Sequence, residues 1–66
     1  MLLDSDKLRE TMVLKGFNVA KLAKAAGVSA VSINQWLNHN KQQILDTLGR
    51  VVNALEVPLG AIVVKG

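Results

Sequence analysis

The chain has 66 residues, a formal net charge of +3 and no cysteine. A chain of this length can bury only one small core, and the absence of cysteine excludes disulfides and thiolate metal sites, as suits a reducing cytoplasm. Because no stretch approaches the roughly 18 apolar residues of a membrane span and no secretion signal precedes the first apolar run, we expect residues 1–66 to form one cytoplasmic domain.

The first apolar-periodic run predicts a helix that ends at a glycine. Either Asp4 or Ser5 can cap its start, because both side chains accept a hydrogen bond from the first turn. Leu8 and Met12 then share one face, and Gly16 ends the run.

Two short helical runs follow on either side of a second glycine. Asn18 caps the first of them and Ser29 the second, and Gly27 lies between them, where a left-handed residue is least costly. The residues expected to face inward are Leu22, Ala23, Ala26, Ile33 and Trp36.

A fourth run predicts another amphipathic helix. Its start is ambiguous, because Asn40 and Gln43 fit a capping box but Gln43 also fits a loop. Gly49 lies inside the run, where glycine is unfavourable, and we attribute it to close helix packing. The residues expected in the core are Ile44, Leu48, Val51, Val52 and Leu55.

Pro58 opens the last element, "PLGAIV". It fits one helical turn, while "AIVV" fits a short apolar strand, and we favour a helix through Ile62. An exposed apolar tail would be a liability, so we expect it to be buried by the chain's own core or by a second copy. If the tail forms a strand, edge pairing would give a two-fold dimer with contacts at Ile62, Val63 and Val64.

The positive charge is concentrated in the middle of the chain. Residues 1–14 contain two basic and three acidic residues, residues 15–41 contain four basic and no acidic residues, and residues 42–66 contain two of each. An acid-free stretch is what a surface facing phosphates needs, although a solvated lysine face would have the same composition.

The third helix carries polar residues where a core would need apolar ones. With Ile33 and Trp36 inward, Asn34 and Gln35 lie on another face, and each offers a donor and an acceptor to a base edge. The alternative is that these amides only solvate an ordinary surface.

The segment "VAKLAKAAGVSAVSINQWLN" resembles the helix-turn-helix motif of the Cro and phage-repressor domains, which are also called lambda-repressor-like. The resemblance extends to "LRETMVLKGFN" as a first helix and "TLGRVVNALEVPLGAI" as a fourth and fifth. It covers about residues 7–62, leaves 63–66 as a short tail, and implies an all-α, five-helix domain. Buried positions of the motif are matched by Leu22, Ala23, Ala26, Val28, Ile33 and Trp36.

The resemblance implies that the third helix enters the major groove and that the second helix meets a phosphate at its N-terminus. The residues expected to face base edges are Ser29, Ala30, Val31, Ser32, Asn34 and Gln35. Those expected to face phosphates are Val19 and Ala20 through their backbone amides, Asn38, Asn40 and Lys41. Lys15, Lys21 and Lys24 would supply peripheral attraction.

Four positions depart from the family pattern. Val19 replaces a frequent glutamine, and His39 replaces the glycine after the third helix, where we expect a turn residue or phosphate neighbour rather than a metal ligand. Met12 and Leu37 occupy the positions of an arginine and a glutamate that often pair. Because a buried ion pair can be exchanged for packed apolar residues, we predict that Met12 and Leu37 touch.

The sequence has no nucleophile elbow, phosphate-binding glycine loop, paired carboxylates or metal-ligand spacing, so we expect neither catalysis nor a cofactor. We predict a small transcriptional regulator, most simply a repressor, that binds a palindromic DNA operator as a homodimer. No small-molecule effector or membrane partner is expected. The alternative function is a helix-turn-helix module that acts mainly through protein contacts, as an antitoxin-like or adaptor domain.

Overall fold

The computed structural model describes residues 2–38, 41–42 and 45–64, with the backbone alone at positions 41, 42 and 45. These ranges contain four α-helices: α1 (Ser5–Lys15), α2 (Val19–Ala26), α3 (Ala30–Asn38) and α4 (Leu45–Leu55). A 3-10 turn spans Leu59–Ala61, and there are three two-residue strands, β1 (Leu2–Leu3), β2 (Lys41–Gln42) and β3 (Val63–Val64). None of the helices described is long and apolar enough to cross a membrane.

Side chains cap the first two helices as the sequence predicts. At the start of α1, an Asp4 carboxylate oxygen accepts hydrogen bonds from the amides of Asp6 and Lys7, at 3.0 and 3.2 Å. The Asn18 side-chain oxygen accepts from the amide of Lys21 at 2.8 Å. Such a cap contributes about 1 kcal/mol to stability, so residues outside the helices fix where both helices begin.

Helices α1, α2 and α4 end in the same hydrogen-bonding motif, with one left-handed residue after the last turn. In each, the amide of the next residue donates to a carbonyl five positions earlier. These pairs are Phe17 to Met12 at 2.8 Å, Val28 to Ala23 at 3.1 Å and Val57 to Val52 at 3.1 Å. The left-handed residues are Gly16, Gly27 and Glu56, with φ of 73, 70 and 57°. The first two were predicted, whereas the glutamate gives no sequence signal for this conformation.

One hydrophobic cluster joins the helices, the 3-10 turn and the strands. Its buried members include Leu8 and Met12 of α1, Leu22 and Ala26 of α2, Ile33 and Trp36 of α3, Leu48, Val51, Val52 and Leu55 of α4, and Leu3, Ile62 and Val63. These burials confirm the predicted inward faces, except that Ala23 and Val28 are half-buried. Asn40, Gln43 and Ile44 lie outside the described residues.

The predicted fifth helix is not found as an α-helix, so the five-helix expectation is corrected to four α-helices and a 3-10 turn. Pro58 is extended, and the turn it precedes ends at Ala61, before Ile62. The Ile62 carbonyl accepts the amide of Asp4 at 2.8 Å, which draws the chain into strand pairing instead of another helical turn. The alternative interpretation of "AIVV" as a strand is confirmed at Val63–Val64.

A small antiparallel sheet brings distant parts of the chain together. Its order is β2-β1-β3, with Leu2 opposite both Gln42 and Val64. The sequence did not predict β1 or β2, because two residues are too few to form a periodic pattern. The fold is mostly helical, as the all-α expectation requires, and the sheet is a small addition to it.

A lysine side chain bonds to the edge of β3 that faces away from β1. Because Asp4 and Ile62 are hydrogen-bonded across β1 and β3, the alternation of an antiparallel ladder turns the Val63 carbonyl away from β1. The ammonium of Lys7 donates to this carbonyl at 3.1 Å. A charged side chain thus occupies an edge acceptor that another strand would otherwise use.

The prediction of close packing at Gly49 is wrong. Apart from its two chain neighbours and the nearby backbone of its own helix, a Cβ atom built on this residue would meet no heavy atom of the described residues within 4 Å. The space beside α4 is therefore open at this position, and glycine is not required there by packing.

Candidate nucleic-acid interface

Helices α2 and α3 pack against each other across a three-residue turn, Gly27 to Ser29. Val28, in the middle of the turn, is half-buried against the core and anchors it. The Ser29 hydroxyl oxygen accepts the amide of Ser32 at 3.1 Å, which confirms Ser29 as the cap of α3.

One face of α3 is exposed along its whole length. Its residues are Ala30, Val31, Asn34, Gln35 and Asn38. At 100° per residue they cover an arc of about 140° on the helix, and we call this set the outer arc. Ile33 is 0% and Trp36 6% exposed on the opposite side, whereas Val31 is 66% exposed. The arc has amide groups and apolar surface but no formal charge.

The two serines predicted to face bases are engaged with each other. Ser29 is exposed, and its hydroxyl donates to the hydroxyl oxygen of Ser32 at 3.3 Å. Ser32 is half-buried and lies about 60° beyond the nearer end of the outer arc. The structure therefore brings Ala30, Val31, Asn34 and Gln35 together and sets Ser32 apart from them.

The start of α2 offers backbone donors rather than side chains. Val19 is half-buried and packs against the core, which leaves only its amide for a partner outside, whereas Ala20 is exposed. No hydrogen bond among the described residues uses the amide of Val19 or of Ala20. Two donors at a helix N-terminus, where the dipole is positive, can hold an anion.

The three peripheral lysines, Lys15, Lys21 and Lys24, are all exposed. The ammonium of Lys21 lies 5.7 Å from the centroid of the Phe17 ring and 3.5 Å from the Gly16 carbonyl oxygen. These contacts hold its charge beside the turn that leads into α2. In the described ranges the ion pair found is Asp46 with Arg50 on α4, so none of these lysines is neutralised there by an acid.

The end of α3 is held by a residue that the sequence analysis missed. The guanidinium of Arg9, on α1, donates to the Leu37 carbonyl oxygen at 2.9 Å. Arg9 precedes Met12 by three residues, and therefore by about one helical turn. The available signal was a basic residue one turn before Met12, the position at which the resemblance described above implies an arginine.

Other predicted residues near this end have mixed outcomes. Asn38 is exposed at the last position of α3, but His39 and Asn40 lie outside the described residues, as does the side chain of Lys41. Met12 is buried and Leu37 is half-buried against the same core. Direct contact between Met12 and Leu37 stays a prediction.

The predicted dimer residues are mostly covered by the chain itself. Ile62 and Val63 are buried in the core, which is one of the two alternatives stated for the tail, and Val64 is half-buried. Within the described ranges, no group of three or more histidine, cysteine, aspartate or glutamate residues is placed to hold a metal ion.

Comparison with known proteins agrees with this geometry. The family model of the Cro/C1-type HTH DNA-binding domain matches residues 7–64, which include nearly all of α1, the outer arc and β3. Comparison with curated proteins finds no match.

Proposed function

Because the chain belongs to the Cro/C1-type helix-turn-helix DNA-binding domain family, we propose that it regulates transcription by binding a specific double-stranded DNA sequence. In this proposal α3 lies in the major groove, and occupation of the operator represses transcription. The role is binding alone, with no catalytic step and no cofactor.

The observation that carries the proposal is the outer arc. A surface of small, amide and apolar side chains on the second helix of a helix-turn-helix can approach base edges closely. Val31 is 66% exposed, so its apolar side chain is available to a thymine methyl group.

Within the arc we propose two kinds of base contact. Asn34 and Gln35 use their amide groups as donor and acceptor, a pairing that suits adenine. Ala30 and Val31 meet thymine methyl groups. We retain Ser29 and Ser32 as secondary contacts, because their hydroxyls already bond within the cap.

Phosphate contacts are proposed on both sides of the arc. The amides of Val19 and Ala20 bind one phosphate at the start of α2, while Asn38, Asn40 and Lys41 bind the backbone beyond α3. The peripheral charges of Lys15, Lys21 and Lys24 increase the local concentration of DNA and make binding sensitive to salt.

We further propose that two copies bind a palindromic operator, with their α3 helices about 34 to 36 Å apart. The proposed contact is the edge of β3, through Val64 and the backbone, because the side chains of Ile62 and Val63 are already buried. Pairing there requires Lys7 to release the Val63 carbonyl.

The second candidate is a module that acts through protein contacts. Val13 and Leu14, at the end of α1, are 73% and 84% exposed, which favours this alternative because large apolar side chains in water often mark an interface. The apolar tail gives it less support than the sequence implied, since Ile62 and Val63 are buried.

A selection experiment separates the two candidates. Fluorescence-anisotropy titrations of a random-sequence duplex library are made at three salt concentrations, and the retained DNA is sequenced. We expect an enriched palindrome and affinity that falls steeply with salt, because bound phosphates release counterions. Weak binding without enrichment at any salt concentration would contradict the DNA proposal and favour the protein-contact candidate.

A further inference from the structure

The end of α3 lacks a basic residue of its own. The last four carbonyl groups of any α-helix have no partner within the helix, and they form the negative end of its dipole. Neither arginine nor lysine occurs in the last turn of α3. These carbonyls therefore accept hydrogen bonds either from water or from a donor outside the helix.

Arg9 supplies such a donor across 28 positions of sequence. It lines a surface groove with Asp6, Glu10, Val13 and Leu14. Both acids are close to it along α1, yet neither forms an ion pair with Arg9 among the described residues. The guanidinium instead makes a 2.9 Å charge-assisted hydrogen bond to the carbonyl of Leu37.

The bond joins a rigid helix to the turn that carries Asn38. Arg9 is on α1, which begins at the Asp4 cap and packs against α3 through the core. Leu37 is half-buried, and its neighbour Asn38 is exposed at the end of the outer arc. The guanidinium thus holds the last turn from α1, through a bond at the exposed surface, and Asn38 projects from that turn.

We propose that Arg9 is a positioning residue for sequence recognition, acting through the end of α3 rather than by touching DNA. This inference rests on the proposed function. Arg9 keeps the last turn of α3 in the helical conformation. Asn34 and Asn38, which are one turn apart, then keep a fixed spacing against the operator. Without it the turn frays, and contacts that need a defined geometry weaken.

The test compares Arg9→Ala with Arg50→Ala. Arg50 is also an exposed arginine, but among the described residues it bonds only to Asp46 on its own helix, so it controls for the loss of a positive charge. On the selected operator we expect Arg9→Ala to bind about tenfold more weakly, because a hydrogen bond to a charged donor is involved. On random duplex we expect less than about a twofold change and the same salt slope. Arg9→Lys should restore part of the operator affinity.

Amide hydrogen exchange of the free protein, followed by NMR, tests the positioning without DNA. We expect Arg9→Ala to speed exchange at Leu37 and Asn38 by about tenfold, while Arg50→Ala leaves it unchanged. Unchanged exchange in Arg9→Ala would overturn the inference. So would equal losses on operator and random DNA with a salt slope lower by about one, since that is the signature of a direct phosphate contact.

The failure of the proposed function has a different signature. If wild type itself shows no sequence preference, both the DNA proposal and the inference fail. If wild type is selective and Arg9→Ala is equally selective, the inference alone fails.

Discussion

Two amide side chains of the outer arc, Asn34 and Gln35, have different surroundings. Asn34 lies between Ala30 and Asn38 along the helix surface, whereas Gln35 lies at the margin of the arc beside Val31. The side chain of Gln35 is longer and makes no hydrogen bond within the described residues. It therefore has the reach and the freedom to read a base at the edge of the contact.

Replacing Gln35 by alanine tests this role. We expect Gln35→Ala to lose about 1 to 3 kcal/mol of binding free energy on the selected operator and to relax the preference at one base pair, because a bidentate contact is removed. Affinity for random duplex should not change. Fluorescence anisotropy on both duplexes measures the difference.

The matched variant for this test is Lys41→Ala. It removes a proposed phosphate contact, so it should weaken binding to all sequences alike and lower the salt slope by about one. Equal losses on operator and random DNA for Gln35→Ala would remove Gln35 from base recognition. Fluorescence of the buried Trp36 verifies that each variant is folded, since this is the single tryptophan of the chain.

Gly49 and Gly27 show that glycine is unfavourable inside a helix but favourable directly after one. Gly49 lies inside α4 with open space beside it, while Gly27 ends α2 with φ of 70°. An added methyl group meets no atom at either site. Only the backbone conformation distinguishes the two positions.

We therefore expect opposite changes in the free energy of unfolding. Gly49→Ala should stabilise the protein by about 0.8 to 1 kcal/mol, because alanine is the better helix former. Gly27→Ala should destabilise it by about 1 to 2 kcal/mol, because a side chain is strained in the left-handed region. Urea unfolding followed by Trp36 fluorescence measures both. A loss of stability in Gly49→Ala would indicate that α4 packs more closely than the structure has it.

The elements that sequence could predict are those determined locally. Asp4, Asn18 and Ser29 cap the helices that follow them, and Gly16 and Gly27 end helices, because these effects act within one turn. Burial on the inner face of α3 also follows from a short periodic pattern. The outer arc is predictable for the same reason, as the complement of that buried face.

The elements that sequence missed depend on distant parts of the chain. Strand β1 exists because it pairs with β2 and β3, and two residues give no pattern of their own. The bond from Arg9 to Leu37 likewise requires α1 and α3 to be packed before its partner is defined. The predicted fifth helix does not form for a related reason. The carbonyl of Ile62 accepts the amide of Asp4 instead of continuing a helix.

At the scale of the whole molecule, the dimer proposed above would form through the exposed edge of β3. In the monomer, the ammonium of Lys7 holds the Val63 carbonyl at 3.1 Å and so opposes pairing with a second copy. Any dimer that uses this edge must exchange that bond for strand hydrogen bonds. In the proposed dimer, the bond between Lys7 and Val63 would therefore oppose association.

Lys7→Met keeps an apolar stem but removes the ammonium. We expect it to dimerise at lower concentration than wild type, because the edge acceptor becomes free for pairing. Lys15→Met removes the same charge from the same helix without touching β3 and should leave dimerisation unchanged. Sedimentation equilibrium measures both, and an identical dissociation constant for Lys7→Met and wild type would rule out the β3 edge as the dimer contact.

The pairing of β1 with β3 also determines how the fold responds to a mechanical load. Leu2 lies opposite Val64 and Leu3 opposite Val63, so the start of β1 and the end of β3 lie at the same end of the ladder. A pulling force applied through those ends peels the strands apart one pair at a time instead of shearing all pairs together. Such a ladder opens at low force, and the core beneath Leu3 and Val63 is the first to be uncovered.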